Sequence, residues 1–427
     1  MRAAGRRWRW KPGALARNTA LATAWQGVRL ALQFAYLILV ARVLGVEGYG
    51  VFAGSVALAA SLSPLVGWGF GMILVQEVSR APGRFPEFWA KALRAVVVSG
   101  PALAGVMLAL APLLLPVDGR WTVIVLIAAA ELLAMPLVAA GSLAFQAHER
   151  LGRTIFNHVQ LNLVRLGAVA LLAAAGQGDL VAFAWAYFGA TAVAALLSLL
   201  QVRRAYGRPD WTRGGLAGRR REGLGFSLSV VANTAHGELD KTLLLRLGSA
   251  AAAGSYSVAN RVVSAATTPL VAYILAAVPR LFREGEQGTA AAAALARRLL
   301  PPILLYGLVA AAGLYVAAPL LPWVFGPGFG AALDLVPWLA PLPLLVGASQ
   351  LGLNVLSSSG RQRSRVLFEG LCLVVNIGLN VVLIPRWGAH GAVAALLVSQ
   401  SLLALLPAAA VALLVRDAER HHGKTYG

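Results

Sequence analysis

Four stripes of polar side chains hold what chemistry this sequence can offer. Gln26, Arg29 and Gln33 recur at i, i+3 and i+7, with Thr19 and Tyr36 on the same face. A helix there lays one guanidinium between two carboxamides. His158, Asn162 and Arg165 follow at i, i+4 and i+7, and Asn233, His236 and Asp240 share a third face. Tyr256, Asn260, Ser264 and Thr267 form the fourth, with Arg261 beside it. All of them sit in apolar runs, where a charge at mid-membrane costs about 2.5–3.5 kcal/mol on insertion scales. Such residues turn toward protein or a water-filled cavity. Arg29 and Arg165 have no acid at i±3 or i±4, so cations at that depth call for an anion or for water. Glu131 is either a protonated carboxyl or the partner of a buried arginine. Arg261 and Lys241 can each pair with Asp240 or with Glu238, which points away from the Asp240 face. Asn376 and Asn380, in line with Glu369, suit interhelical hydrogen bonds or substrate contact. Glu369 itself is near enough to a membrane face to snorkel.

Other chemistries are absent from the pattern. No G-x-x-x-x-G-K-[ST] loop is present, so the chain encodes no phosphate cradle for ATP hydrolysis. The six histidines and one cysteine show no metal-ligand spacing, and nothing calls for a cofactor. An enzyme of polymer assembly would expose carboxylates or a base on a large outer loop. The connections here, such as "AGQGD" and "PVDGR", are a few residues long. A transporter is therefore expected rather than an enzyme.

The elements that must position these stripes follow from composition. Of 427 residues, 59% are hydrophobic and only 13% charged, with a mean hydropathy of +0.72. A soluble domain carries about a quarter charged residues. The formal charge of +20 lies between apolar runs, which excludes a nucleic-acid reading and points to membrane orientation and anionic lipid headgroups. A bilayer core needs about 20 apolar residues per helix. That predicts twelve spans, at 17–42, 50–76, 90–115, 121–145, 154–175, 180–202, 223–246, 255–279, 299–322, 332–356, 365–384 and 389–415. Spans 3, 6 and 9 are almost wholly Ala, Leu and Val and read as outer, lipid-facing helices.

Twenty-nine Lys and Arg residues fall at the N-terminus, the even-numbered loops and the C-terminus, against four in the odd-numbered loops. This bias places both termini in the cytoplasm. A basic N-terminus (1–16) then precedes an N-lobe of spans 1–6 (17–202) and a basic linker (203–222). A C-lobe of spans 7–12 (223–415) and a cytoplasmic tail (416–427) follow. The halves resemble each other. "ARVLGVEGYGVFAGSV" after span 1 matches "LRLGSAAAAGSYSVANRV" after span 7, and Arg153 and Phe156 align with Arg365 and Phe368 at one offset of 212. Two copies with an even number of spans form a parallel repeat, an arrangement that places substrate between the halves.

The stretch "LVARVLGVEGYGVFAGSVALAASLSPLVGWGFGMILVQEVSR" (39–80) resembles the opening of the polysaccharide biosynthesis, or oligosaccharide flippase, family of the MOP exporter superfamily. The matching residues are Ala41, Arg42, Leu44, Gly45, Glu47, Tyr49, Gly50, Gly69, Gly71, Glu77, Ser79 and Arg80. The stretch "LDKTLLLRLGSAAAAGSYSVANRVV" (239–263) is similar to that family's second block through Asp240, Lys241, Gly248, Gly254, Tyr256, Ala259 and Arg261. The resemblance implies an all-α membrane protein with two six-helix lobes about a central cavity. It also implies alternating access and an undecaprenyl-diphosphate-linked oligosaccharide as cargo. On that reading Arg29, Arg165 and Arg261 hold the diphosphate by charge-assisted hydrogen bonds. Gln26, Gln33, Tyr36, Asn162, Asn233 and His236 line the cavity, with Trp25 beside the sugars, and Glu131 or Asp240 couples protons or cations. The expected partners are membrane lipids and other assembly proteins, with the chain a monomer in a bacterial cytoplasmic membrane. The alternatives are a cation-coupled multidrug or small-molecule exporter on the same fold, or a membrane enzyme. Asp240 and Lys241 belong to the recurring block. His236 does not, which singles it out as specific to this protein's own substrate.

Overall fold

Alanine-, leucine- and valine-rich runs satisfy their backbone groups within each helix, as hydrocarbon requires. The computed structural model describes the backbone of residues 12–213 and 220–424, and side chains within 25–212 and 227–416 except 228, 229, 232 and 233. The described backbone is almost wholly helical and contains no strand. In chain order the helices are α1 (Pro12–Leu62), α2 (Phe70–Arg80), α3 (Phe85–Leu114), α4 (Trp121–Ala129), α5 (Met135–Ala147), α6 (Leu151–Ala174), α7 (Leu180–Tyr206) and α8 (Arg220–Leu247). They continue as α9 (Ala250–Glu286), α10 (Thr289–Ala317), α11 (Leu321–Phe325), α12 (Gly330–Leu339), α13 (Leu342–Ser358), α14 (Gln362–Trp387) and α15 (Ala389–Lys424).

Among the described residues nine helical runs are long and apolar enough to cross a bilayer, or ten when the pair 327–339 and 342–358, bent by 48°, counts as one. The first of the nine, Trp25–Arg80, has 56 residues. At about 1.5 Å per residue that is ~84 Å, more than twice a hydrocarbon core of ~30 Å. It therefore has room for two spans. It breaks at Gly45, whose φ of 65° lies in the left-handed region where a side chain is disfavoured. The expected seventh span coincides with α8, whose titratable residues keep it below the apolarity of the others. The count is thus compatible with twelve. The linker is shorter than its sequence suggests, because α7 runs to Tyr206 and α8 resumes at Arg220. Its described start is tied down: the Asp210 amide donates to the Pro86 carbonyl at 2.9 Å, and Arg94 donates to the Trp211 carbonyl at 3.1 Å.

The chain groups into two compact units. The first comprises Met1–Leu39, Leu65–Ala104 and Ala129–Gly225. Its core packs Phe70, Ile73, Leu74, Phe85 and Trp89 against Phe145 and Val202. A smaller cluster joins Val138, Leu161 and Ala194. The second unit comprises Val40–Pro64, Gly105–Ala128 and Phe226–Gly427. Its core joins Leu270, Ile274, Ile303, Leu351 and Val355, with the buried Cys372 beside Leu353 and Leu403. Within this second unit the segment 40–64 packs closely on the helices of the chain's second half. Arg42 donates from Nε to the Val324 carbonyl at 2.9 Å and from Nη2 to the Trp323 carbonyl at 2.8 Å. The Tyr49 ring meets Phe329 edge-on at 6.1 Å, and Thr242 donates to the Gly54 carbonyl at 2.9 Å.

Candidate functional site

In the first unit the polar centre is built around Glu131. The helix there opens into a π turn, Ala130–Ala134, one residue ahead of Pro136. Proline has no N–H to donate and its ring crowds the carbonyl four residues back. A single π turn absorbs that conflict, and Glu131 lies within it. The carboxyl is 8% exposed. Its Oε1 accepts from Arg165 Nη2 at 3.0 Å and from the Tyr187 hydroxyl. Arg165 Nε donates to Thr191 Oγ1 at 3.0 Å, and its guanidinium lies 4.2 Å from the Tyr187 ring centroid. Thr191 in turn donates to the Tyr187 carbonyl at 2.7 Å. Three helices, α6, α7 and the α4–α5 run, are thus locked by one charge pair. Tyr36 of α1 stands within electrostatic range of Arg165 and Tyr187.

Arg165 therefore has the acid that its own helix lacks, and Glu131 takes the second of the two roles open to it. Arg29 differs. Its Nε is buried without a hydrogen-bond partner, and it has no ion pair among the described residues. The nearby titratable ring is His158, close enough for mutual repulsion. Trp25 meets Phe156 edge-on at 5.5 Å on the same helices. Gln26 is half-buried and Gln33 exposed. Asn162 spends its amide on the His158 carbonyl at 2.9 Å, one turn back on α6.

In the second unit the third stripe resolves into separate contacts. The buried Asp240 accepts from the Tyr256 hydroxyl and from the Lys241 amide at 2.8 Å. The Lys241 ammonium pairs with Glu238 at 2.6 Å, and Arg261 adds its charge to Glu238's surroundings. Asp240 is thus held by a phenol and a backbone amide, whereas the Lys241 ammonium turns to Glu238. His236 Nε2 lies 3.2 Å from Gln400 Oε1, and Gln400 Nε2 donates to Ser349 Oγ at 2.8 Å. The tautomer follows from that chain. Gln400 offers its oxygen to the ring, so His236 Nε2 carries the proton and Nδ1 is a bare acceptor. Among the described residues the buried Nδ1 has no partner. The Asn233 side chain and that of Thr19 lie outside the described residues.

On α14 the asparagines spend their amides on hydrogen bonds within the second unit. Asn376 donates to Ser399 Oγ of α15 at 3.1 Å, and Asn380 donates back to Asn376. Glu369 does not snorkel: it is buried and accepts from Arg365 at 3.1 Å. Sequence reasoning missed Tyr187 and Thr191 because span 6 reads as a lipid-facing helix. Their i, i+4 spacing, with Ser198 a further seven residues on, is the signal that would have found them. Gln400 and Ser349 had no such signal.

The family model described as polysaccharide biosynthesis protein matches residues 15–284. No curated protein matches the chain. Solved structures with a similar fold include a multidrug resistance MATE family transporter of the MOP superfamily in an inward-facing conformation. It shares 14% identity and a TM-score of 0.75, over 92% of this chain and 98% of that one. The lipid II flippase MurJ, in an inward closed conformation, shares 10% identity and a TM-score of 0.75, over 92% and 87%. A MOP superfamily transporter from Pyrococcus furiosus Vc1 (DSM3638) shares 16% identity and a TM-score of 0.61, over 94% and 96%. At these identities the likeness is one of fold alone, an all-helical multi-pass membrane fold.

Proposed function

The chain belongs to the polysaccharide biosynthesis protein family, and from that premise we propose that it is an alternating-access flippase. Its cargo is an undecaprenyl-diphosphate-linked oligosaccharide, moved from the inner to the outer leaflet of a bacterial cytoplasmic membrane for surface polysaccharide assembly, with both termini in the cytoplasm. Arg29 carries this reading. A guanidinium within an apolar span, holding a buried N–H with no partner, supplies the donor that a diphosphate oxygen needs. The unpartnered His236 Nδ1 is an acceptor suited to a sugar hydroxyl. Of Glu131 and Asp240, Asp240 is the better placed to exchange a proton or cation through the cycle, because its hydrogen bonds come from the Tyr256 hydroxyl and the Lys241 amide, whereas Glu131 is bonded to a guanidinium.

Loss of the chain is expected to abolish the surface polymer and leave full-length lipid-linked units inside the cell. Normal polymer with altered drug tolerance would instead establish the second reading, a cation-coupled exporter. The fold it shares with a multidrug resistance transporter supports that reading, and the pairing of Glu131 by Arg165 counts against it, since the acid is already neutralised. Arg29→Ala removes one charge-assisted interaction, worth about 1.5–3 kcal/mol. Polymer export is expected to fall by at least about tenfold, with the protein still in the membrane. Wild-type export by that variant would remove Arg29 from the site.

A further inference from the structure

Away from the polar stripes, α10, α13 and α15 enclose an elongated apolar groove of about 560 Å³ within the second unit. That volume falls among ligand sites of about 300–1,000 Å³. Small residues line it, Ala348 and Gly352 on α13 and Ala404 and the exposed Ala408 on α15. Gly352 sits against Pro407, where an added Cβ would come within 3.0 Å of the ring. One rim is Leu405, 65% exposed, so the groove opens sideways toward hydrocarbon. Apart from Ser401, the polar side chain on its wall is Arg297, one turn in from Ala293 at one end.

The dimensions and charge of this groove specify its occupant. It extends over residues 293–304 of α10, 345–355 of α13 and 401–412 of α15. At about 1.5 Å per residue those segments are roughly 15–17 Å long, against ~15 Å for one leaflet of a ~30 Å core. All three helices carry arginine at the same end. Arg297 and Arg298 lie one turn into the α10 wall, Arg361 and Arg363 follow α13, and Arg416 lies one turn beyond Ala412. Basic sites between membrane helices recognise anionic headgroups. We propose that this groove is a binding site for one acyl chain of an anionic glycerophospholipid, whose phosphate rests on Arg297. A polyprenyl chain is far longer than one leaflet, and a zwitterionic lipid brings no net charge to the clustered arginines.

The test is native mass spectrometry of the full chain in detergent, supplied with equal amounts of phosphatidylglycerol and phosphatidylcholine bearing the same acyl chains. The wild type is expected to retain phosphatidylglycerol preferentially. Arg297→Gln should lower that preference about fivefold, the effect of one surface arginine. Ala404→Leu with Ala408→Leu, which fills the groove from its lipid-facing side, should reduce retention of both lipids to background. Thermal stability of each variant reports whether it folds, and Arg297→Gln tests the assignment independently of the filled groove. Equal retention of the two lipids by the wild type, or undiminished retention by the filled variant, overturns the proposal. Displacement of phosphatidylglycerol by undecaprenyl phosphate would assign the groove to a prenyl chain instead. A dimer that the filled variant loses would assign it to a second copy of the chain.

Discussion

Arg165→Met is expected to be the most destabilising single substitution in the first unit, at about 3–5 kcal/mol, because it strands a buried carboxylate. Arg165 and Glu131 are each nearly buried, with side chains 12% and 11% exposed. The geometry leaves Glu131 few substitutes, since Tyr187 is its other donor. Neutral polar pairs in the same unit, such as Asn157 with Ser198 at 3.1 Å, are worth much less. Hydrogen bonds between membrane helices average about 0.6 kcal/mol. The charge pair should therefore dominate any survey of polar contacts here. Replacing both partners, as Glu131→Leu with Arg165→Met, removes the stranded charge and is expected to restore most of the stability. If the pair serves transport, polymer export stays absent in the double variant although the protein is sound. Heating a fluorescent fusion and following the surviving monodisperse fraction reads stability, and surface polymer reads export. A double variant as unstable as Arg165→Met alone would show that the cluster is not a simple pair.

What the sequence displays and what it hides differ in the distance over which each is decided. Helices and their apolar faces are local, so the spans, the break at Leu44-Gly45 and the interhelical role open to Asn376 are legible. Partnerships between helices are not. Arg165 has no acid one turn away, yet Glu131 reaches it from 34 residues earlier. Only the packing of α6 on the π-turn helix brings them together. His236 and Gln400 are 164 residues apart and carry no spacing signature at all. Tyr187 and Thr191 are an intermediate case. Their spacing is readable, but the apolar character of the surrounding helix masks it. Glu369 shows the reverse error, because its place near the start of its span suggests snorkelling while Arg365, one turn away, holds it buried. The two glycine-tyrosine turns were legible as similar stretches, but not as neighbours.

Those turns set the second large prediction, that Gly254→Val abolishes polymer export in a protein that still folds and inserts. In the second unit a Cβ on Gly254 would overlap the Val46 carbonyl oxygen, and one on Gly50 would overlap the Ala250 carbonyl oxygen. Two stretches that resemble each other in sequence thus meet backbone to backbone. A side chain can swing away from a new Cβ, but a carbonyl within a helix cannot, so the substitution must separate the segments. Overpacking of this kind costs about 1–3 kcal/mol, which shifts the closed arrangement of this seam by about 5- to 150-fold. Under the flippase reading the seam has to close and part once per cycle, so a bias of that size stalls transport without unfolding the helices. Ser55, 1% exposed and beside Gly54 in the same segment, is the reporter. In a Ser55→Cys background a membrane-impermeant maleimide should label the Gly254→Val protein and leave the parent unlabelled. Gly378→Ala, where an added Cβ meets nothing within 4 Å, should change neither labelling nor export. Wild-type export by Gly254→Val, or labelling equal to the parent, would mean that the contact is static packing and that transport opens elsewhere.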